Sequence, residues 1–148
     1  VGQRRKGREQ ALQLAYGLDL GGLTIPGLPA AVESLPAASA RTREFATRLV
    51  EGAWADLAAI DRTIEGQAEH WHLSRMTPVD RNILRLAVHE LEHFPDIPPK
   101  ATVNEWIEIA KKYGTEHSAS FVNGILDPIL RRRPDPSPEG EGETPPEP

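Results

Sequence analysis

Thr77-Pro78-Val79-Asp80-Arg81-Asn82-Ile83-Leu84-Arg85-Leu86-Ala87-Val88-His89-Glu90-Leu91-Glu92-His93-Phe94-Pro95 is the stretch that decides the fold. Thr77 suits a helix N-cap, and Pro78 lacks the N–H that a first turn would leave unpaired. Asp80 favours the positive end of the helix dipole, and Pro95 ends the helix. At about 100° per residue with Ala87 as origin, Ile83, Leu84, Leu91 and Phe94 fall within about 60° of it. The spacing predicts an amphipathic α-helix.

The same period extends in both directions. Gln3–Leu20 places Ala11, Leu14, Ala15 and Leu18 on one arc. Gly21–Ser39, rich in Gly, Pro and Ala, reads as a loop with one short helix around Ala30–Leu35. Arg41 to about His70 carries Phe45, Leu49, Ala53, Leu57, Ile60 and Ile64 at spacings of three and four, with one break near Trp54–Asp56. Pro98-Pro99-Lys100 opens a helix whose stripe of Val103, Ile107 and Ala110 stops at Gly114, suited to a left-handed cap. The last helix starts near Ser118 and buries Val122, Ile125, Leu126 and Ile129. Gly124 within it costs roughly 1 kcal/mol against alanine, which close packing of a neighbouring helix would offset. No segment alternates with period two, so the predicted class is all-α, a compact bundle of about seven helices.

The chain has 148 residues, no cysteine and a net charge of −5. Disulfides and thiolate metal sites are therefore excluded, and a reducing cytoplasm is the expected compartment. No apolar run approaches the ~18–20 residues of a membrane span, and no signal-peptide core follows the start. The charge is unevenly placed. Residues 134–148 hold Asp135, Glu139, Glu141, Glu143 and Glu147 without a basic residue, leaving 22 − 5 = 17 acidic residues against 17 basic ones before them. This Pro- and Glu-rich tail has too little apolar surface to offset ordering entropy, so it reads as disordered. The domain division is 1–133 for the helical body and 134–148 for the tail. Within the neutral body, Arg4, Arg5, Lys6 and Arg8 cluster on the first turns of a helix that continues to Tyr16. That pattern points to a phosphate-gripping arm flanked by an aromatic side chain.

One segment imitates an enzyme. His89-Glu90-Leu91-Glu92-His93 is a literal H-E-x-x-H, the pattern in which two histidines one turn apart hold zinc and the glutamate activates water. On the helical wheel His89 and His93 lie near 200° and 240°, beside Asn82 and Arg85 and away from the apolar arc, so they are expected to face outward. Glu90 borders the arc, where a hydrogen bond from helix to loop would be its ordinary role. His70-Trp71-His72 is expected in a loop, and Trp54, Trp71 and Trp106 as core. No phosphate loop, nucleophile elbow or paired-carboxylate signature is present. The reading is of a binding protein without catalytic residues, cofactor or metal.

Three segments together resemble the NusB family: Arg8–Tyr16, Val79–Leu91 and the C-terminal third. The third holds Asn104-Glu105, Ile107–Gly114 and Phe121-Val122-Asn123-Gly124-Ile125-Leu126-Asp127. The likeness spans about Arg4–Leu130. It implies an all-helical transcription antitermination factor that binds the boxA element of ribosomal-RNA leaders together with NusE, a small-subunit ribosomal protein. Other Nus factors and RNA polymerase would complete the assembly, in support of ribosomal-RNA transcription and processing. The RNA contacts it implies are Arg4, Arg5, Lys6, Arg8, Tyr16, Asp80, Arg85, His117 and Phe121. His117 and Ser120 depart from the residues usual in the family, which implies weaker contacts near the last helix. Trp106 stands where a small residue is usual, bearing on packing or on a partner or dimer surface. Two alternatives are a NusB-like accessory domain of a ribosomal-RNA cytosine methyltransferase, although no Rossmann-type segment is present, and a helical adaptor that does not bind RNA. A homodimer through a wide helix face is a further expectation.

Overall fold

The computed structural model describes residues 2–36 and 39–132, and the expected tail, 134–148, lies outside them. Seven α-helices are present and, among the described residues, no strand. They are α1 (Gln3–Leu20), α2 (Leu28–Glu33), α3 (Ala40–Ala55), α4 (Leu57–Gln67), α5 (Pro78–His93), α6 (Pro99–Tyr113) and α7 (Ser118–Arg131), with a single 3-10 turn at Leu73–Arg75 before α5.

Local chemistry sets most boundaries. Ser39 caps α3 by accepting from the Thr42 N–H at 3.1 Å, and Thr77 caps α5 by accepting from the Asp80 N–H at 3.2 Å. Helix α1 closes on Gly21, whose φ of 87° is the left-handed conformation that glycine adopts without penalty. The short helix expected around Ala30–Leu35 starts two residues earlier, with Pro29 in its first turn.

Helix α5 is the axis of the bundle and touches α1, α3, α4, α6 and α7. Every residue from Asn82 to Leu91 is buried, so α5 is enclosed on all sides. Around it pack Leu14, Leu49, Ile60, Ile64, Trp106, Ile109, Val122 and Leu126. The expectation that the side of α5 bearing Asn82, Arg85 and His89 faces water is therefore corrected. The helical wheel separated that side from the apolar arc, but α3 and α4 cover it. His89 is buried against α3, where a Cβ on Gly52 would sit 2.1 Å from His89 Nε2. His93, one turn on, is exposed and stacks on His89 with ring centroids 4.6 Å apart.

Two expectations about glycine change as well. Gly114 is extended (φ −94°, ψ −161°), not left-handed. It is needed for space, since a Cβ there would lie 2.3 Å from the Ser118 Oγ that accepts from the Thr115 N–H. Gly124 is exposed and a Cβ would meet nothing within 4 Å, so no neighbouring helix offsets its cost.

Helices α1 and α3 run side by side in the same direction. Their starts are joined by a hydrogen bond from Ser39 Oγ to Gln3 Oε1 (2.8 Å), and one turn later Gly7 lies against Phe45 and Thr42. The absence of a side chain at Gly7 permits this approach: a Cβ would come within 2.8 Å of Phe45 Cδ2.

Candidate nucleic-acid interface

The basic turns of α1 divide by function. Arg4 and Lys6 are exposed, Arg5 is half-buried and Arg8 is buried. Arg5 is hydrogen bonded by its Nε to Glu105, and that bond holds the Glu105 carboxyl below its usual range. Arg8 is corrected from an RNA-gripping residue to an internal one. It donates from Nε and Nη2 to the two oxygens of Glu90, whose side chain is fully enclosed. Glu90 also accepts from Thr102 Oγ1 at 2.9 Å and Trp106 Nε1 at 2.8 Å. Its partners are thus on α1 and α6, not in a loop. Four donors occupy the carboxylate that the H-E-x-x-H reading would need for activating water. Trp106, expected to alter packing or a surface, is entirely buried and is one of these donors.

A second internal network gathers around Asp19, which accepts from Arg81 Nε and Nη2, Asn82 Nδ2 and Arg85 Nη1. Burial works against this charge, but the three donating side chains outweigh it and hold the Asp19 carboxyl below its ordinary range. Arg85 also grips Asp61 in a bidentate pair (2.9 and 3.0 Å). Arg85 is therefore buried and held by four hydrogen bonds, and Asp80 is buried beside the Thr77 cap with Oδ1 lacking a partner. Neither presents a free head group to solvent.

What remains on the surface is Arg4, Lys6 and a set of aromatic side chains. Tyr16 and Tyr113, 42% and 45% exposed, line one groove of about 460 Å³ with Lys6, Gln13 and Val79. Phe121, near the start of α7, is half-buried and meets Trp71 edge to face with centroids 6.1 Å apart. Trp71 is 51% exposed, so the expectation of a core residue is corrected there, while its place in a loop holds. His117, at the N-cap of α7, is exposed beside Glu116. The structure thus brings Lys6 and Tyr16 into one groove and sets Phe121 and His117 on the same helix start, and it withdraws Arg8, Asp80 and Arg85 into the interior. Tyr113 and Trp71 are exposed aromatic side chains that the sequence reading did not select. A sequence pattern marks an aromatic as core or surface only by helical phase, and Trp71 precedes a 3-10 turn while Tyr113 ends its helix.

Groups that could hold a metal are sparse. Among the described residues, Asp56, Glu92 and His93 offer ligand atoms within 4.8 Å of one another. All three are exposed, and the set includes one histidine of the H-E-x-x-H motif but not its partner His89.

Solved structures share this fold. A NusB from T. maritima superposes with a TM-score of 0.79 at 38% identity over 88% of this chain and 92% of its own. A structure of the antitermination factors NusB and NusE in complex with dsRNA matches with a TM-score of 0.78 at 31% identity, over 88% of this chain and 98% of its own. The fold thus defines an all-helical bundle of the antitermination-factor class. The NusB family model matches residues 5–131, and the chain belongs to the NusB family. The transcription antitermination protein NusB of Geotalea uraniireducens is 47% identical over 91% of this chain and 99% of its own length, and that of Myxococcus xanthus 41% identical over 87% and 95%. No described helix is long and apolar enough to cross a membrane.

Proposed function

We propose that this protein is a transcription antitermination factor that binds boxA-type single-stranded RNA of ribosomal-RNA leaders together with NusE. It acts in the cytoplasm beside other Nus factors and RNA polymerase. The observation that carries this reading is the likeness, over most of the chain, to a NusB in complex with NusE and dsRNA. The surface is consistent with it, because single strands are held by cations on phosphates and aromatic faces on bases.

Exposed Arg4, Lys6, Tyr16 and His117, with half-buried Phe121, take the direct contacts, and Tyr113 and Trp71 join them. Arg5, Arg8, Asp80 and Arg85 hold the helices that present this surface. The test is a fluorescence titration of boxA-like RNA, with and without NusE. Replacing Tyr16, Trp71 or Phe121 by alanine should cost roughly 1–3 kcal/mol for each base that is stacked, with little change in salt dependence. Replacing Lys6 should instead lower the salt slope by about 0.7 for a lost phosphate contact. Unchanged binding in all four folded variants would refute the surface, and parent protein that ignores boxA RNA even with NusE would refute the function.

A further inference from the structure

A second cationic surface lies on the other side of the α1 tip. A cleft of about 600 Å³ separates the first turn of α1 from α3 and is lined by Arg4, Arg41, Arg48, Glu44 and Phe45. Arg41 and Arg48 are exposed, and neither is within ion-pair distance of an acidic group among the described residues. Glu44 is the one carboxylate in the lining, so the cleft is cationic by two charges, with Asp96 standing 3.9 Å from Arg4 outside it. Arg48 is braced, its guanidinium carbon 4.3 Å from the centre of the Phe94 ring. The positive ends of two helices meet here, and neither carries an acidic residue in its first turn.

Arg41 and Arg48 are seven residues apart on one helix, which separates their Cα atoms by about 10 Å along the axis. Such a row does not converge on one small anion but tracks an extended one. The row also joins the groove described above. Gly2 lines both the cleft and a smaller depression with Arg5 and Lys6, and Lys6 lines the groove of Tyr16 and Tyr113. We propose that this cleft is a site for the phosphodiester backbone of RNA, gripping nucleotides that flank the segment held at Tyr16 and Tyr113. The inference rests on the RNA-binding function proposed above and adds Arg41 and Arg48 to it.

The experiment compares a boxA-like core oligonucleotide with the same RNA extended by about eight uridines at either end. Parent protein should bind one extended RNA more tightly than the core, with a steeper salt dependence. The double variant Arg41→Gln/Arg48→Gln, checked for an unchanged melting curve, should lose that gain and reduce the salt slope on the extended RNA by up to about 1.4, which is 0.7 for each of two phosphate contacts. Its binding to the core should be unaltered, and Arg41→Lys/Arg48→Lys should restore the slope. A double variant that keeps the parent's length gain and slope overturns the inference while leaving the proposed function intact. Parent protein that binds no RNA overturns both. A peptide spanning residues 134–148 that binds the parent and not the double variant, with no length gain on RNA, would assign the cleft to an acidic segment and overturn the RNA proposal.

Discussion

Replacing Glu90 by alanine tests the main internal feature of the bundle. Its carboxylate is fully enclosed and accepts from Arg8, Thr102 and Trp106, joining α1, α5 and α6. Glu90→Ala leaves the Arg8 guanidinium, 3% exposed, with its nearest remaining carboxylate at Glu105, 3.8 Å from Nη1. Removing one partner of a buried pair costs about 3–5 kcal/mol, and the orphaned Trp106 and Thr102 donors add to it. We expect a loss of about 4 kcal/mol against a total stability on the order of 5–15 kcal/mol. With a urea slope of roughly 2 kcal/mol per molar, the unfolding midpoint followed by far-ultraviolet circular dichroism should fall by about 2 M. The double variant Arg8→Met/Glu90→Ala removes both charges and should lose less than the sum of its two single variants, a coupling of more than about 2 kcal/mol. A Glu90→Ala protein within about 1 kcal/mol of the parent, or single changes that simply add, would refute the view that this pair ties the three helices together.

Stability should also respond to acid through His89, whose burial, with the neighbouring His93 acting in the same direction, lowers its pKa from 6.5 to about 4. The folded state disfavours the proton that the unfolded chain accepts, so this stability is complete above pH 6.5 and is lost as pH falls towards about 4. The full loss is roughly 3 kcal/mol, and urea midpoints measured across this window should flatten in His89→Leu. The glycines should diverge in sign. Gly124→Ala, into open space, should raise stability by up to about 1 kcal/mol, whereas Gly52→Ala, which drives a methyl group into the His89 ring, should lower it by about 1–3 kcal/mol. Thermal melts of both variants check the pair, and destabilisation by Gly124→Ala would contradict the packing described here.

Helix positions followed closely from local signals. The span Gln3–Leu20, the Thr77 cap and the break near Trp54–Asp56 all occur where spacing and capping chemistry put them. What stayed hidden depends on contacts between distant parts of the chain. Arg8 read as a free cation because its partner lies 82 residues away, and Arg85 because Asp19 and Asp61 sit on other helices. A helical wheel finds the apolar side of α5 but is silent about whether α3 and α4 cover the opposite side. The candidate interface was legible in part for the same reason. Lys6 and Tyr16 keep the exposure that their helical phase suggests, whereas Trp71 and Tyr113 owe theirs to where the chain turns.

The Arg8–Glu90 bond has a consequence for the birth of the protein. During synthesis α1 is made before α5, and the carboxylate that neutralises Arg8 is added 82 residues after it. At ~5–20 residues per second that interval is about 4–16 s. Throughout it the Arg8 guanidinium is without the counter-charge that it has in the folded bundle. Helix α1 is thus made well before the charge that ties it to the axis of the bundle, and that tie forms only when α5 has been added.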